Sequence, residues 1–594
     1  MTRIPLRPLA RVLDARAKGE NPDRIERENL HRRHEVMRDR ARLRAEGRLV
    51  VLAGLFFCAF LVVGVRMGAI AASEPAEPRA QIAGAQIAAA RADIVDRRGR
   101  LLATNLVTHA LYAQPPLMVE PERAARELAR IFPDLDEERL VGWFTGERKF
   151  LWIKKKISPE QKQAVFDIGE PGLLFGPREM RLYPNGAIAA HVLGGASFGR
   201  EGVDAAEVIG VAGIEKAFEE RLRDPGRAAE PLRLTLDLTV QAAVERVLEG
   251  GMVMMNAKGA TAVLMEARTG EIVAMASLPD FDPNDRPRPL TEGDASDSPL
   301  FNRAVQGVYE LGSTFKIFAV AQALEIGQIS PSTMINTRGP LSWGKFRIND
   351  FRNYGAELSA TDVIVKSSNI GTARIAMDIG AERQRAFLAS LGFTEPTGVE
   401  LIEAPGAKPL LPGKWSELST MTISYGHGLS ASPLHLATAY ASLLNGGTRV
   451  TPTLVRGAPV QRGVRVVSEE TSAIARQMLR EVVTRGTASF GEVPGYAVGG
   501  KTGTADKPKA RGGGYYDDKV IATFASIFPA HDPRYVLVVT LDEPVETSGR
   551  EPRRTAGWTV VPVAAEMIRR VAPLLGLKPE IEPLAPTGVT LTSN

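Results

Sequence analysis

One long run of apolar residues stands out from the rest of the chain. Residues 49–65, LVVLAGLFFCAFLVVGV, carry no charge, and apolar residues continue past Arg66 to residue 72. About 20 such residues cross the hydrocarbon core of a bilayer. The run therefore predicts a transmembrane helix over residues 49–72. A cleaved signal peptide is the alternative, since residues 69–71 resemble a cleavage site, but signal peptides have a short leader and only about 7 to 15 apolar residues.

Shorter apolar patterns farther along the chain predict both helices and strands. After Gly312, apolar residues recur at the spacing of a helix, and Gly327 suits the end of that helix. The apolar positions are Phe315, Phe318, Ala321 and Leu324. Two largely apolar segments, residues 522–529 and 535–544, read as strands. Residues 576–594 contain three prolines and a Ser/Thr-rich end, which predicts a disordered tail.

Charge and composition place most of the chain outside the cytoplasm. With 594 residues, 44% of them apolar, the chain can form about two to four domains. Residues 1–48 hold 14 Lys/Arg against 8 Asp/Glu, and such a basic flank stays on the cytoplasmic side of a membrane. The rest of the chain should then lie in the periplasm, tethered to the inner membrane. The net charge of +5 is small for this length and does not predict nucleic-acid binding.

Cysteine and histidine patterns argue against metal chemistry. The single cysteine, Cys58, lies in the predicted anchor, which rules out an intramolecular disulfide and a cysteine-based metal site. No H-E-x-x-H motif is present. Three carboxylates at Asp280, Asp282 and Asp285 could suggest a cation site, but prolines interrupt them, which favours a solvated loop.

Residues 495–505, GYAVGGKTGTA, support two incompatible interpretations. Residues 495–502 fit the phosphate-binding pattern G-x-x-x-x-G-K-[ST], whereas residues 501–503 form the K-T-G box of penicillin-reactive serine enzymes. A phosphate loop needs a buried strand before it and a helix after it. Pro494 precedes this segment, and Gly503, Pro508 and a run of three glycines follow. The surroundings therefore favour the K-T-G box and predict no nucleotide.

Two further boxes complete the serine-enzyme pattern. Ser313 lies three residues before Lys316, so both side chains share one face of the predicted helix and can touch. A serine hydroxyl needs such a base, and a lysine can serve only if burial or a nearby cation, such as Lys501, lowers its pKa. Ser367 and Asn369 form an S-x-N box at a turn between two helical stretches.

Together these boxes and their surroundings resemble the class B penicillin-binding proteins, and more closely the division-specific FtsI type. The resemblance runs from the anchor to about residue 575. Its N-terminal module is similar over residues 92–105, 181–194 and 213–222, and the opening of the transpeptidase domain over residues 234–241. Leu311 stands where many members have proline, and Trp558 is an additional tryptophan near the end of the likeness.

The resemblance implies an α+β architecture with an antiparallel catalytic sheet flanked by helices, in which residues 497–505 form an edge strand. It also implies the order of the segments. We expect a basic cytoplasmic tail (1–48), the transmembrane anchor (49–72), a linker (73–81), an elongated mixed α/β pedestal of the dimerisation type (82–230), the transpeptidase domain (231–575) and the disordered tail (576–594).

The resemblance also implies the reaction, D,D-transpeptidation of peptidoglycan stem peptides during septal wall synthesis. Ser313 would attack the penultimate D-Ala of a donor peptide, and β-lactams would acylate the same serine. Lys316 would be the base. Ser367 would pass a proton to the departing D-Ala, and Lys501 would hold Ser367 in place.

Other residues of the boxes would bind the substrate. Asn369 would bind the donor's amide or steady Lys316. The K-T-G strand, with Thr502, Gly503 and Thr504, would hold the terminal carboxylate. The backbone N–H groups of Ser313 and Thr504 would form the oxyanion hole. The resemblance implies no cofactor, and it implies partners in the division machinery, such as an FtsW-type glycosyltransferase and other membrane proteins.

Several alternatives remain at this point. The same boxes occur in elongation-type transpeptidases, in membrane-bound β-lactam sensors and in β-lactamases, and a catalytically silent scaffold is a further possibility. Ser197 lies in a G-x-S-x-G pattern, but a glycine-containing segment follows instead of the helix that a nucleophile elbow requires. His427 is flanked by glycines, which favours a loop position over a catalytic one.

Overall fold

The computed structural model describes residues 7–72, 91–201, 206–457, 463–509 and 513–580. The chain forms two compact units, Met1–Gln86 and Ile87–Asn594. The predicted linker, residues 73–81, lies outside the described residues, as do residues 581–594 of the predicted tail. Within the described start of that tail, Leu577 packs into the main core, and the Glu580 N–H donates to the Gly495 carbonyl at 2.8 Å.

The described part of the first unit, residues 7–72, is helical. It contains α1 (Arg7–Ala17) and α2 (Pro22–Ala72). The predicted anchor, residues 49–72, falls within the C-terminal part of α2. Over the residues described, none of the helices combines the length and the apolar character that crossing a membrane requires.

The second unit opens with a mixed α/β region. Its strands are β1 (Ile94–Val95), β2 (Leu101–Ala113), β3 (Leu151–Ile157), β4 (Leu173–Leu182), β5 (Gly195–Glu201), β6 (Ala206–Ala212) and β7 (Leu232–Arg233). Its helices are α3 (Pro121–Ile131), α4 (Glu137–Phe144), α5 (Pro159–Phe166), α6 (Ala190–Leu193), α7 (Gly213–Ala217) and α8 (Glu219–Leu222). Strand β2 pairs antiparallel with β1, β3 and β4, and β1 pairs parallel with β7. Ser197 lies inside β5, which pairs with β6, so it is not at a nucleophile elbow.

The C-terminal region is built around a five-stranded sheet. The strands of the region are β8 (Gly259–Glu266), β9 (Ile272–Leu278), β10 (Met334–Asn336), β11 (Leu341–Trp343), β12 (Phe346–Ile348), β13 (Glu357–Ser359), β14 (Gly499–Pro508), β15 (Tyr515–Phe528) and β16 (Tyr535–Asp542). The short strands β10 to β13 lie outside the large sheet. The large sheet has the order β14-β15-β16-β8-β9, with every pair antiparallel. The antiparallel sheet and the edge position of the K-T-G box are thus confirmed, but the edge strand runs over Gly499–Pro508 rather than residues 497–505.

Helices cover this sheet. The helices of this region are α9 (Leu238–Met254), α10 (Lys316–Glu325), α11 (Ala360–Val365), α12 (Asn369–Ile379), α13 (Ala381–Ser390), α14 (Glu417–Ser424), α15 (Pro433–Leu444), α16 (Glu469–Arg485) and α17 (Val560–Leu574). Of these, α9, α15, α16 and α17 pack on the strands of the large sheet. Every residue of β16 and β9 is buried, which requires cover on both faces of the sheet. Their near-continuous apolar sequence follows from this burial.

Candidate active site

Ser313 lies in a tight turn above a buried aromatic cluster. A 3-10 turn, Gly312–Phe315, leads directly into α10. Beneath it, the rings of Phe315, Phe318 and Phe393 pack with centroids 4.8 to 5.5 Å apart. The Tyr440 hydroxyl donates to the Thr314 carbonyl at 2.8 Å. The cluster fixes the turn from below and leaves Ser313 partly exposed. The helix predicted from the apolar spacing is confirmed.

Lys316, on the first residue of α10, is completely buried. Its Nζ donates to the Ser367 carbonyl at 2.5 Å and approaches the Ser367 Oγ at 3.0 Å. The sequence predicted contact with Ser313, but the hydrogen bonds of this Nζ within the described residues go to Ser367. A buried amine needs polar partners, and the turn at Ser367 offers two oxygens at once.

The S-x-N box lies at the turn between α11 and α12, as predicted. Ser367 has a φ of 61°, a left-handed conformation that costs a non-glycine residue on the order of 1 kcal/mol or more. This conformation turns its Oγ toward two amines, because Lys501 Nζ also lies 3.0 Å from it. Lys316 and Lys501 therefore meet at one hydroxyl, and both are fully buried.

Burial and mutual repulsion shift the protonation of this lysine pair. Burial lowers the pKa of Lys316 well below its usual range, the charge of Lys501 lowers it further, and Asp350 opposes the shift. Burial lowers the pKa of Lys501 to about 7. Both lysines therefore lose their protons more readily than a solvated lysine does, and a neutral amine can accept a proton from a hydroxyl.

Strand β14 brings the K-T-G box against the nucleophile turn. A side chain at Gly503 would place its Cβ 2.2 Å from the Leu311 carbonyl oxygen, so only glycine allows this approach. Thr502 Oγ1 lies 2.8 Å from Thr487 Oγ1, and Thr504 Oγ1 accepts from the Ala556 N–H at 2.9 Å. The structure thus assembles residues 501–504 beside Ser313.

The phosphate-loop interpretation does not fit this geometry. Lys501 lies inside β14, paired with Ala525 of β15, and the strand continues to Pro508 without a helix after the lysine. Its Nζ is buried against Ser367 and the Thr502 carbonyl. A phosphate-binding lysine must instead follow a loop and begin a helix.

The hydrogen bonds of the two lysines among the described residues do not include the Asn369 side chain. Asn369 begins α12, and its Nδ2 donates to the Asn349 carbonyl at 2.9 Å. The neighbouring Asp350, which the sequence analysis missed, accepts from Ser368 Oγ at 2.7 Å and from the Ile370 N–H at 3.0 Å. It fixes the start of α12 and thereby the S-x-N turn. No motif surrounds Asp350, so only the folded loop reveals it.

The other polar residues that the sequence singled out make contacts with neighbouring residues of the fold. Asp282 caps a short 3-10 turn, Pro283–Asp285, by accepting from the Asn284 N–H. His427 contacts a carboxylate, Glu310, through Nδ1 at 3.2 Å. The sequence also offers no sign of Thr487, whose hydroxyl contacts that of Thr502. Thr487 precedes the K-T-G box by fourteen residues and shares no pattern with it.

A partly exposed serine beside two buried lysines that meet at one hydroxyl is an arrangement typical of acyltransferases that react through a serine. Residues 260–558 match the model of the penicillin binding protein transpeptidase domain, and residues 86–227 match that of the penicillin-binding protein dimerisation domain. The chain belongs to the penicillin-binding protein transpeptidase family, as the sequence boxes indicated.

Its relatives extend the likeness over most of the chain. A probable peptidoglycan D,D-transpeptidase FtsI of Caulobacter vibrioides is 36% identical over 92% of this chain and 92% of the relative. The peptidoglycan D,D-transpeptidase FtsI of Escherichia coli is 28% identical, over 77% of this chain and 80% of the relative. The crystal structure of a Mycobacterium penicillin-binding protein 3 with aztreonam is similar at a TM-score of 0.63, with 28% identity, and covers 84% of this chain and 98% of that one.

Proposed function

We propose that this protein is a serine D,D-transpeptidase that cross-links peptidoglycan stem peptides during septal wall synthesis, through an acyl-enzyme on Ser313. The observation that carries the proposal is the meeting of Lys316 and Lys501 at the Ser367 hydroxyl, beside Ser313 and the K-T-G strand. The names of the relatives, which are peptidoglycan D,D-transpeptidases, support the same reaction.

In the first half-reaction, Ser313 Oγ attacks the carbonyl carbon of the penultimate D-Ala of the donor peptide. The proton of Ser313 passes to the neutral Nζ of Lys316, whose lowered pKa allows it to accept. The C–N bond to the terminal D-Ala then breaks. Ser367 gives a proton to the departing amine and recovers one from Lys316, while Lys501 holds the Ser367 Oγ in place.

The backbone and the K-T-G strand stabilise the reacting group. The N–H groups of Ser313 and Thr504 face the developing oxyanion, where one such donor contributes about 3 kcal/mol. The hydroxyls of Thr502 and Thr504, on the strand that includes Gly503, bind the terminal carboxylate. Asn369 binds the amide of the donor peptide.

In the second half-reaction, the amine of another stem peptide attacks the ester carbonyl. The attacking amine gives up one proton through Ser367 to Lys316, the new amide bond forms as the ester C–O bond breaks, and Lys316 delivers that proton to the Ser313 Oγ. A β-lactam acylates Ser313 by the same first step, but its opened ring remains attached to the ester and blocks the incoming amine. This is the basis on which the protein binds penicillin.

The full-length protein in detergent is expected to join a synthetic stem pentapeptide to an amine acceptor and to release one D-Ala for each bond formed. Mass spectrometry of the peptide products measures both. A β-lactamase would instead hydrolyse penicillin rapidly, and a sensor would keep a stable penicillin adduct while forming no cross-linked product. Either result, in a protein whose far-UV circular dichroism shows a folded chain, would contradict the proposed reaction.

The cellular setting follows from the order of the segments. We propose that residues 49–72 anchor the chain in the inner membrane, with residues 1–48 in the cytoplasm. The pedestal (82–230) and transpeptidase domain (231–575) then lie in the periplasm. The uncharged run at residues 49–65 supports the anchor, and the FtsI relatives support a role in division. An FtsW-type glycosyltransferase and other division membrane proteins are the partners that we propose for this role.

A fluorescent fusion to the N-terminus is expected to form bands at midcell and to sediment with the inner membrane. The physical reason is the anchor, which restricts the enzyme to the membrane where septal wall is made. Patches along the side wall would support the elongation-type alternative. Fluorescence in the soluble fraction of an intact fusion would contradict the anchor.

A further inference from the structure

Glu310 is a buried carboxylate just before the nucleophile turn. It precedes Ser313 by three residues and is 7% exposed. One of its oxygens accepts from the Gly428 N–H at 2.7 Å. The Tyr515 hydroxyl lies 3.1 Å from both oxygens, and His427 Nδ1 lies 3.2 Å from the second. One carboxylate therefore joins three segments that are distant in sequence.

Residues 425–428, which Glu310 contacts at His427 and Gly428, pack directly against the nucleophile turn. The Gly312 N–H donates to the Gly426 carbonyl at 3.2 Å. Gly426 has a φ of 88°, and a Cβ there would lie 1.9 Å from the Gly312 carbonyl oxygen. With no space between the two backbones, a shift of residues 425–428 must displace Gly312. The peptide bond after Gly312 carries the N–H of Ser313.

The charges around Glu310 keep it ionised. Burial raises the pKa of its carboxyl group, but hydrogen bonds from His427, the Gly428 N–H and Tyr515 outweigh burial and lower that pKa. The facing phenols stay protonated, because burial raises the pKa of Tyr425 and of Tyr515 to about 12. At neutral pH the carboxylate is thus a charged acceptor that is surrounded by donors, which strengthens each bond.

We propose that Glu310 is a positioning residue for acylation. Through residues 425–428 it fixes Gly312, and so it aims the Ser313 N–H at the oxyanion. Tyr515, the first residue of β15, links the same carboxylate to the hairpin that carries the K-T-G strand. This role rests on the proposed function. It requires no contact between Glu310 and the substrate, so its loss should slow acylation without weakening the binding that precedes it.

The test measures acylation of the full-length protein by a fluorescent penicillin in stopped-flow experiments, which separate the dissociation constant from the acylation rate constant. In Glu310→Ala we expect the rate constant to fall about 100-fold, the loss seen when one oxyanion donor is removed, with the dissociation constant within about twofold of the wild type. Glu310→Gln retains one acceptor oxygen, so we expect a smaller fall, about three- to tenfold, on the same scale.

The matched control is Glu400→Ala. Glu400 likewise accepts from a backbone N–H, that of Leu454 at 2.9 Å, and from a hydroxyl, that of Thr453 at 2.6 Å. Its bonds do not reach the nucleophile turn, so its removal should lower the melting temperature but leave the acylation rate constant unchanged. An equal fall in rate in Glu400→Ala would assign the effect of Glu310 to general destabilisation and overturn the proposal.

Other results would also overturn the positioning role. They are an unchanged rate constant in folded Glu310→Ala, or a change in the dissociation constant alone. If Glu310→Ala does not fold, the test uses Glu310→Gln instead. An acylation rate constant equal to that of the wild type in Glu310→Gln would then overturn the positioning role. If the wild-type protein takes up no label, the proposed function is refuted, and the role of Glu310 with it. If the wild type is labelled but Glu310→Ala reacts at the same rate, only the positioning role fails.

Discussion

Ser313→Ala is expected to take up no penicillin at all, whereas the wild-type protein binds one equivalent. The alanine lacks the oxygen that forms the ester. Removing the nucleophile of a serine hydrolase costs about a millionfold in rate, far below the limit of detection by covalent labelling. Intact-protein mass spectrometry after incubation with penicillin measures the stoichiometry, and peptide mapping places the adduct.

The control for this experiment is Ser197→Ala. Ser197 lies in β5, paired with Ile209 of β6. The Ser197→Ala protein should therefore be labelled on Ser313, as the wild type is. Ser313 is small and partly exposed, so its replacement should change the free energy of unfolding by no more than about 0.5 kcal/mol. An adduct on Ser197, or one that survives Ser313→Ala, would show that another nucleophile reacts.

The sequence predicted those parts of the site that local pattern determines. The apolar spacing after Gly312 located α10, and the box order placed Ser367 at a turn between helices. The K-T-G box was assigned to an edge strand through the family likeness, and β14 confirms it. In each case the residues that carry the chemistry and the residues that form the element are neighbours in the chain, so one short segment contains both kinds of information.

The parts that the sequence did not reveal depend on packing between distant segments. Lys316 is bonded to Ser367, 51 residues away, and spacing along a helix suggested Ser313 instead. Asp350 and Glu310 act on turns whose positions are known only in the fold. His427 was weighed only as a candidate base, because its carboxylate partner lies 117 residues earlier in the chain.

The second large effect is expected at Lys316. An arginine at this position stays protonated in proteins and cannot accept the proton of Ser313, so Lys316→Arg should nearly abolish acylation. Lys501→Arg should be milder, because there a fixed cation can still hold the Ser367 oxygen. The measurement is the second-order rate constant of acylation by penicillin for the wild type and both variants, over a range of pH.

The acylation rate of the wild-type protein is expected to rise with pH. Lys316 must be neutral to act, and its pKa in the fold lies well below the ordinary value of 10.5. Acylation should therefore be fast above that lowered pKa and fall as the pH drops through it, on a limb far below pH 10.5. Lys501→Arg places a permanent charge beside Lys316, which lowers the pKa of Lys316 further and should move this limb to lower pH.

Burial of the two lysines also makes the free energy of unfolding depend on pH, in the direction opposite to that of a lysine stabilised by an ion pair. An unfolded chain binds the protons of Lys316 and Lys501 up to about pH 10.5, whereas the folded chain releases the Lys501 proton near a pKa of about 7. Since the unfolded state binds more protons in this interval, the free energy of unfolding should rise with pH from about 7 to 10.5. Circular dichroism during urea unfolding at several pH values measures this slope.

A near-wild-type rate in Lys316→Arg would remove Lys316 as the base. The proton would then have to leave Ser313 through Ser367 or through water, with Lys501 as the remaining amine at the Ser367 hydroxyl. In that case Lys501→Arg should become the damaging change, because arginine cannot accept that proton either. The two arginine variants thus decide between the lysines: the one whose replacement abolishes the pH-dependent limb is the base.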